Sequence, residues 1–204
     1  MKHLNLYIFS TLLFLLTVNP FAYSQKFTGG IAAGLSASQV DGDYYSGYNK
    51  AGISAGGWVN LSFSDRSAFQ VGLNYIQKGS RHNPNSEKED YTSLLIRINY
   101  AEMPVLYQYK MKSHLFLEAG PSVGVMISHK EEINQLTTNY PFRLLDIAFQ
   151  AGVGYQFNDK MKIGLRSGNS VSSIRKDRRD GYRRRFWDYG QYNNVLALEL
   201  SYIL

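Results

Sequence analysis

Leu145-Asp146-Ile147-Ala148-Phe149-Gln150-Ala151-Gly152-Val153-Gly154-Tyr155-Gln156-Phe157 alternates with almost no error. Leu145, Ile147, Phe149, Ala151, Val153, Tyr155 and Phe157 are apolar, and the residues between them are small or polar. Successive side chains of a strand point to opposite faces, so the segment carries one greasy face and one narrow, wet face. A strand of a soluble sandwich also reads this way. Recurrence of the pattern along the chain, behind an export signal, points instead to a barrel whose greasy side faces lipid.

Seven further stretches repeat the pattern, at 27–38, 51–63, 68–78, 92–109, 115–128, 161–170 and 193–204. Most exceed the ~9–11 residues that a tilted barrel strand needs to cross a membrane. In the second, Ile53, Ala55, Val59, Leu61 and Phe63 share a face opposite Gly52, Ser54, Gly56, Asn60 and Ser62, with Trp58 the odd member of the wet side. The strand 92–109 breaks phase. Leu94, Ile96, Ile98 and Tyr100 form one apolar set, and Met103, Val105, Tyr107 and Tyr109 another, shifted by one. An extra residue near Glu102 restores the alternation, which predicts a β-bulge there, and Pro104 suits such a site.

The connections alternate in length. Ser64–Arg66, Lys110–His114 and Asn158–Lys160 are tight, whereas Gln39–Lys50, Gly79–Tyr91, His129–Phe142 and Val171–Gly190 are long and polar. Strict alternation puts turns at one end of a barrel and loops at the other. It places both termini on the periplasmic side and the four loops outside. A soluble lipocalin-like barrel has the same strand number but buries its apolar face. The glycines weigh against it. Gly52, Gly56, Gly72, Gly120, Gly124, Gly152, Gly154 and Gly164 all fall on the face opposite the greasy one, where a narrow interior needs small residues.

Met1 to Ser24 reads as a cleaved signal peptide. Lys2 and His3 are the basic start, Leu12 to Val18 the apolar centre, and Ala22 and Ser24 the small-x-small cleavage pattern. The apolar run is shorter than the ~20 residues of a spanning helix. Residues 25–204 then form one domain: an all-β, eight-stranded, antiparallel up-and-down transmembrane barrel. Aromatic content is 14%, charged content 19%, and mean hydropathy −0.29. The low average excludes a bundle of membrane helices but not a barrel, whose inward faces dilute it. The chain has no cysteine, hence no disulfide and no lipid-anchoring thiol. Formal charge is +6, or +5 once Lys2 leaves with the signal.

Four segments, in order, resemble the outer-membrane β-barrel family often labelled PorT-like, common in Bacteroidetes-type bacteria. Lys26-Phe27-Thr28-Gly29-Gly30-Ile31-Ala32-Ala33-Gly34-Leu35-Ser36 is similar to its glycine-rich opening. Leu73-Asn74-Tyr75-Ile76-Gln77-Lys78-Gly79 resembles its third-strand ending. Tyr100-Ala101-Glu102-Met103-Pro104-Val105-Leu106 resembles its Y-x-E-I-P strand, and Ala119-Gly120-Pro121-Ser122-Val123-Gly124 its G-P-x-x-G strand. The resemblance covers essentially the whole mature chain and implies an eight-stranded outer-membrane barrel. Its founding member is linked to secretion through the gliding-associated type IX system. The family implies no catalytic residues, and nothing in the sequence calls for a cofactor.

Two groups of residues carry charge worth placing. Arg97, Glu102, Glu118, Lys162, Arg166 and Glu199 are expected on inward positions. Charges in a narrow lumen must be paired or hydrated, so they read as a network that plugs the barrel, with an ion path as the sharper alternative. The last loop holds Arg175, Arg178, Arg179, Arg183, Arg184 and Arg185 among Tyr182, Phe186, Trp187 and Tyr189. Arginine forks pair well with phosphate, so lipopolysaccharide or another anionic surface partner is expected, and nucleic acid is not. His82, His114 and His129 have no metal-ligand spacing. His129 with Ser128 and a loop Asp would make a catalytic set only on paper. The expected role is structural or interactive in the outer membrane, without enzymatic activity. The alternatives are an accessory part of a secretion or transport assembly, a small-solute pore and a lipid enzyme. In this reading Val153→Arg impairs insertion, and inward Gly154→Ala matters less for lipid contact.

Overall fold

The computed structural model describes residues 26–138, 140–175, 183–185 and 188–204, with backbone alone at 88, 183–185 and 188. The signal segment lies outside the described residues. Among the described residues eleven strands follow one another: β1 (Lys26–Asp41), β2 (Lys50–Ser62), β3 (Ser67–His82), β4 (Leu94–Lys110), β5 (Leu115–Ile133), β6 (Leu136–Thr138), β7 (Leu145–Gln156), β8 (Met161–Ser170), β9 (Arg183–Arg185), β10 (Asp188–Gly190) and β11 (Tyr192–Ile203). Eight of them close a ring in the order β1-β2-β3-β4-β5-β7-β8-β11, with β11 returning to β1. Every pairing is antiparallel, and Gly30↔Ile203 through Asp41↔Tyr192 seal the barrel. β6 folds back on the end of β5, and β9 pairs only with β10. A single 3₁₀ turn, Ser86–Lys88, interrupts the connection after β3.

The tight turns are fixed by short polar side chains. Asn158 Oδ1 accepts from the backbone N–H of Lys160 at 2.8 Å and of Met161 at 2.9 Å. Ser64 Oγ accepts from Ser67 N at 2.9 Å. Such local bonds replace the ladder where it must reverse.

The outer face is apolar from the turn end upward. Leu35 and Leu73 are each 66% exposed, and Ile53, Val71, Leu117, Val123, Ile147 and Leu165 join them. A soluble monomer does not leave a patch of that extent bare. Phe63, Phe69 and Tyr107 cluster with centroids 5.4 to 6.3 Å apart near the turns, and Tyr155 meets Phe157 at 5.4 Å. This is the aromatic girdle expected at a membrane–water interface.

β4 corrects the expected bulge. Burial alternates without a break from Leu94 to Gln108. Leu94, Ile96, Ile98 and Tyr100 all point inward, in phase with Glu102 and Leu106. The chain keeps its phase, and the environments of its two faces exchange. Polar Arg97 and Asn99 face out above, and Met103, Val105 and Tyr107 face out below. The irregularity lies instead between Asn99 and Tyr100, opposite β5, where Asn99↔Ser128 is followed by Tyr100↔Met126 and Ile127 is the extra residue.

The same exchange runs round the barrel. On β3 the outward series passes from Phe69, Val71, Leu73 and Tyr75 to Gln77 and Arg81. On β5 it passes from Val123 and Val125 to Ser128, Lys130 and Glu132. Tyr75 pairs with Ala101, Ala101 with Val125, and Val125 with Leu145, so the transition is one continuous line. Above it the interior becomes a hydrophobic core of Val40, Ile76, Leu94, Ile96, Ile98, Tyr100, Phe142, Ile174 and Val195.

Candidate functional site

Two polar layers cross the lumen. The layer nearer the turns centres on Arg166, whose Nε donates to Glu118 Oε1 at 2.7 Å and whose Nη1 lies 3.3 Å from Glu199 Oε2. Gln108 Nε2 donates to Glu118 Oε2 at 2.8 Å and to Gln70 Oε1 at 3.0 Å. Lys162 Nζ donates to Gln70 Oε1 at 2.9 Å and sits 3.8 Å from the centre of the Trp58 ring. Two cations thus meet two carboxylates, and the indole that is the odd member of the wet face carries a cation–π contact. Trp58 fits because Gly30 lies beneath it: a Cβ there would come within 2.4 Å of the ring.

The second layer sits at the transition line. Lys78 Nζ lies 2.7 Å from Glu102 Oε1 and 3.1 Å from Asp146 Oδ2. Ser170 Oγ donates to Asp146 Oδ1 at 2.6 Å, Asn193 Nδ2 to Asp146 Oδ2 at 2.9 Å, and Ser122 Oγ to Glu102 Oε1 at 3.2 Å. Between and below these side chains the voids measure only about 20 and 120 Å³. Larger cavities, of about 360 and 400 Å³, lie at the two ends.

Of the inward charges expected from sequence, Glu102, Glu118, Lys162, Arg166 and Glu199 are inside and near one another. Arg97 is not. It is exposed on the outer face above the transition line, because β4 has no phase shift to turn it inward. Lys78 and Asp146 belong to the network but were missed. Their signal was phase alone: Asp146 starts the wet face of the quoted strand, and Lys78 lies two residues past inward Ile76.

At the loop end a further ion pair is buried. Arg175 Nη1 and Nη2 donate to the two oxygens of Glu131, each at 2.9 Å, and the guanidinium stacks 3.7 Å from the Phe142 ring centre. Arg175 was expected on the loop surface but is 8% exposed. Arg178 and Arg179 lie outside the described residues. Arg183, Arg184 and Arg185 form β9.

The histidines stay apart. His82 Nε2 is 2.6 Å from Asp90 Oδ2, and its ring stacks on Tyr45 at 3.8 Å. Backbone Thr92 N–H and then His82 hold the exposed Asp90 carboxyl below its ordinary value. His129 packs edge-on against Phe142 at 5.3 Å, whereas Ser128 accepts from Asn99 on the opposite face of β5. Among the described residues no group of three or more His, Asp or Glu is placed to hold a metal ion.

A closed antiparallel barrel with a lipid-facing belt and a polar lumen defines a membrane β-barrel protein. The chain belongs to the outer membrane protein beta-barrel domain family, whose profile matches residues 23–176. It is an outer-membrane barrel. Among solved structures it is similar to Ail, the attachment invasion locus protein of Yersinia pestis, at 13% identity and TM-score 0.53 over 88% of this chain and 99% of that one. Neisserial surface protein A is similar at 9% identity and TM-score 0.53, over 85% of this chain and 96% of that one. Ail in complex with the heparin analogue sucrose octasulfate gives 11% identity and TM-score 0.50 over 88% and 99%. At these identities the likeness is one of fold. No curated protein sequence matches the chain significantly.

Proposed function

We propose that this protein is a sealed outer-membrane barrel that acts by interaction at its loop end, without transport through its lumen and without catalysis. The carrying observation is the interior: two bonded polar layers fill the lumen, with voids of about 20 and 120 Å³. An eight-stranded barrel is just wide enough for side chains to fill. In this reading residues 1–24 are a removed export signal. Both termini and the tight turns face the periplasm, and the long connections face the cell exterior, as in exported barrels generally. Arg178, Arg179, Arg183, Arg184 and Arg185 offer guanidinium forks to the phosphates of neighbouring lipopolysaccharide. The anionic sugar bound by the Yersinia barrel is compatible with this, but the arginines carry the reading.

The test pairs two measurements. Purified barrel in planar bilayers is expected to give no conductance steps, and regular steps would overturn the sealed lumen. Lipopolysaccharide recovered with the barrel is expected to fall when the five arginines are changed to glutamine, and unchanged recovery would remove the loop contact. Stoichiometric capture of secretion proteins would favour the accessory role implied by the PorT-like motifs.

A further inference from the structure

The end of the barrel that carries the tight turns is cationic. Lys26, Arg66, Lys110, Lys112 and Lys160 stand there against Asp65 and Asp159, and all of them are exposed. Among the described residues the side chains of these five cations have no carboxylate partner. Exposure alone does not account for this. The side chain of Lys130 is more than half exposed and still lies 2.6 Å from Glu132. Inside the barrel Lys78, Arg166 and Arg175 are each paired with a carboxylate.

Two of the turns are locked side by side. Lys110 N donates to Arg66 O at 2.7 Å, and Met111 N donates to Leu115 O at 2.8 Å. Arg66, Lys110 and Lys112 thereby line one cavity of about 400 Å³ together with Met111, Leu115 and Phe116, and Asp65 is the carboxylate in its wall. The cavity lies where the lipid belt ends. Lys110 directly follows outward Tyr109, and Arg66 directly precedes Ser67, the ladder partner of Tyr109. Phe63, Phe69 and Tyr107 form the aromatic girdle on the same strands. A strand rises about 3.3 Å per residue, so the cations stand a short step from rings that sit at headgroup level. Lys and Arg side chains extend from such positions to the interface. Met111 and Leu115, 47% and 37% exposed, continue the apolar surface into the cavity wall. Cations beside an apolar wall at the membrane edge suit an anion that has an apolar body. A soluble acidic partner would match the charge and leave the apolar wall without a role.

We propose that the turn end binds the headgroup of an anionic phospholipid. The phosphate lies among Arg66, Lys110 and Lys112, and the glycerol and first acyl carbons lie on Met111 and Leu115 beside the aromatic girdle. A zwitterionic headgroup brings its own ammonium among these cations and is disfavoured. The contact is separate from the loop-end arginines. It requires that the belt lie in lipid, whichever compartment the turns face.

The experiment puts a reporter beside the cavity. Ser113 is exposed in the same turn, and the chain has no native cysteine, so Ser113→Cys gives one labelling site for bimane. The full labelled barrel is folded into phosphatidylcholine vesicles at low salt. A small fraction of the lipid carries a nitroxide near the headgroup, on phosphatidylglycerol in one set and on phosphatidylethanolamine in the other. Quenching by phosphatidylglycerol is expected to exceed quenching by phosphatidylethanolamine about fivefold, the attraction of a single Lys or Arg near a charged bilayer surface. Arg66→Gln, Lys110→Gln and Lys112→Gln together should bring the ratio close to parity. Salt at about 1 M should do the same without any substitution, because the Debye length is then about 3 Å. Arg81→Gln with Arg97→Gln, beyond the far side of the belt, should leave the ratio unchanged. Folding of each variant is checked by its heat-dependent shift on electrophoresis. Equal quenching by the two lipids before substitution would overturn the proposal, as would a preference that survives the triple substitution. A preference lost with Arg81 and Arg97 instead would place the contact at the other end and overturn it equally.

Discussion

The two halves of this barrel are built on opposite principles by the same strands. Toward the turns the outside is apolar and the inside polar, with Arg166, Glu118 and Gln108 bonded across the lumen. Toward the loops an apolar core of Ile96, Ile98 and Phe142 fills the inside alongside the buried Arg175–Glu131 pair, and Arg81, Arg97 and Lys130 lie on the outside. The first half is a membrane barrel and the second resembles a soluble one. The difference locates the lipid boundary on the molecule, along Tyr75, Ala101, Val125 and Leu145.

The largest expected effect comes from the layer at the boundary. Lys78→Met strands the carboxylates of Glu102 and Asp146 together, and loss of one partner of a buried pair costs about 3–5 kcal/mol. The urea midpoint of the refolded barrel should fall accordingly, and an unchanged midpoint would mean the layer is hydrated. Next comes the belt itself. Val153→Arg, near the midplane, should cost about 2–4 kcal/mol in folding into vesicles. Asn99→Arg, equally outward but above the line, should stay within about 0.5 kcal/mol. Equal penalties at the two sites would erase the boundary.

Gly154→Ala sharpens the contrast between touching lipid and filling the lumen. A Cβ there would lie 2.1 Å from Cζ of Phe116, so folding yield should drop although no lipid contact changes. Overpacking of this kind costs about 1–3 kcal/mol. The smallest effect is at the loop end. Burial raises the Asp43 pKa in the fold, outweighing its bonds from Ser80 and Tyr45. A carboxyl raised in the folded state contributes stability at low pH, and loses it as pH climbs from the unfolded value of about 3.9 through the folded one. Asp43→Asn should therefore raise thermal stability at neutral pH and lose that gain in acid. A gain that is flat with pH would point to a packing effect instead.

Much of this architecture was legible. Alternation in the strand from Leu145, the tight turns and the glycine-lined face are direct consequences of a period of two and a narrow interior. What misled was β4. A shift of phase and an exchange of environment write the same letters, because in both cases the apolar residues move from even to odd positions. Only the partner strands distinguish them, and no single strand carries that information. Arg97 was misplaced for this reason. Lys78 and Asp146 escaped because membership in a network depends on which strands close the ring opposite one another. Asp43 and Gln191 read as ordinary loop residues and Arg175 as a surface arginine, until the barrel brings all three to the loop end.

The lipid boundary is open to direct measurement, because the chain has no native cysteine to remove. Single cysteines at the outward β4 positions 95, 97, 99, 101, 103, 105, 107 and 109 would carry a nitroxide label in bilayers. Collision with oxygen reports lipid, and collision with a water-soluble nickel chelate reports solvent. The expected result is lipid exposure from 103 to 109, solvent exposure from 95 to 99, and a crossover at Ala101. Lipid exposure along the whole strand would contradict the two-part barrel.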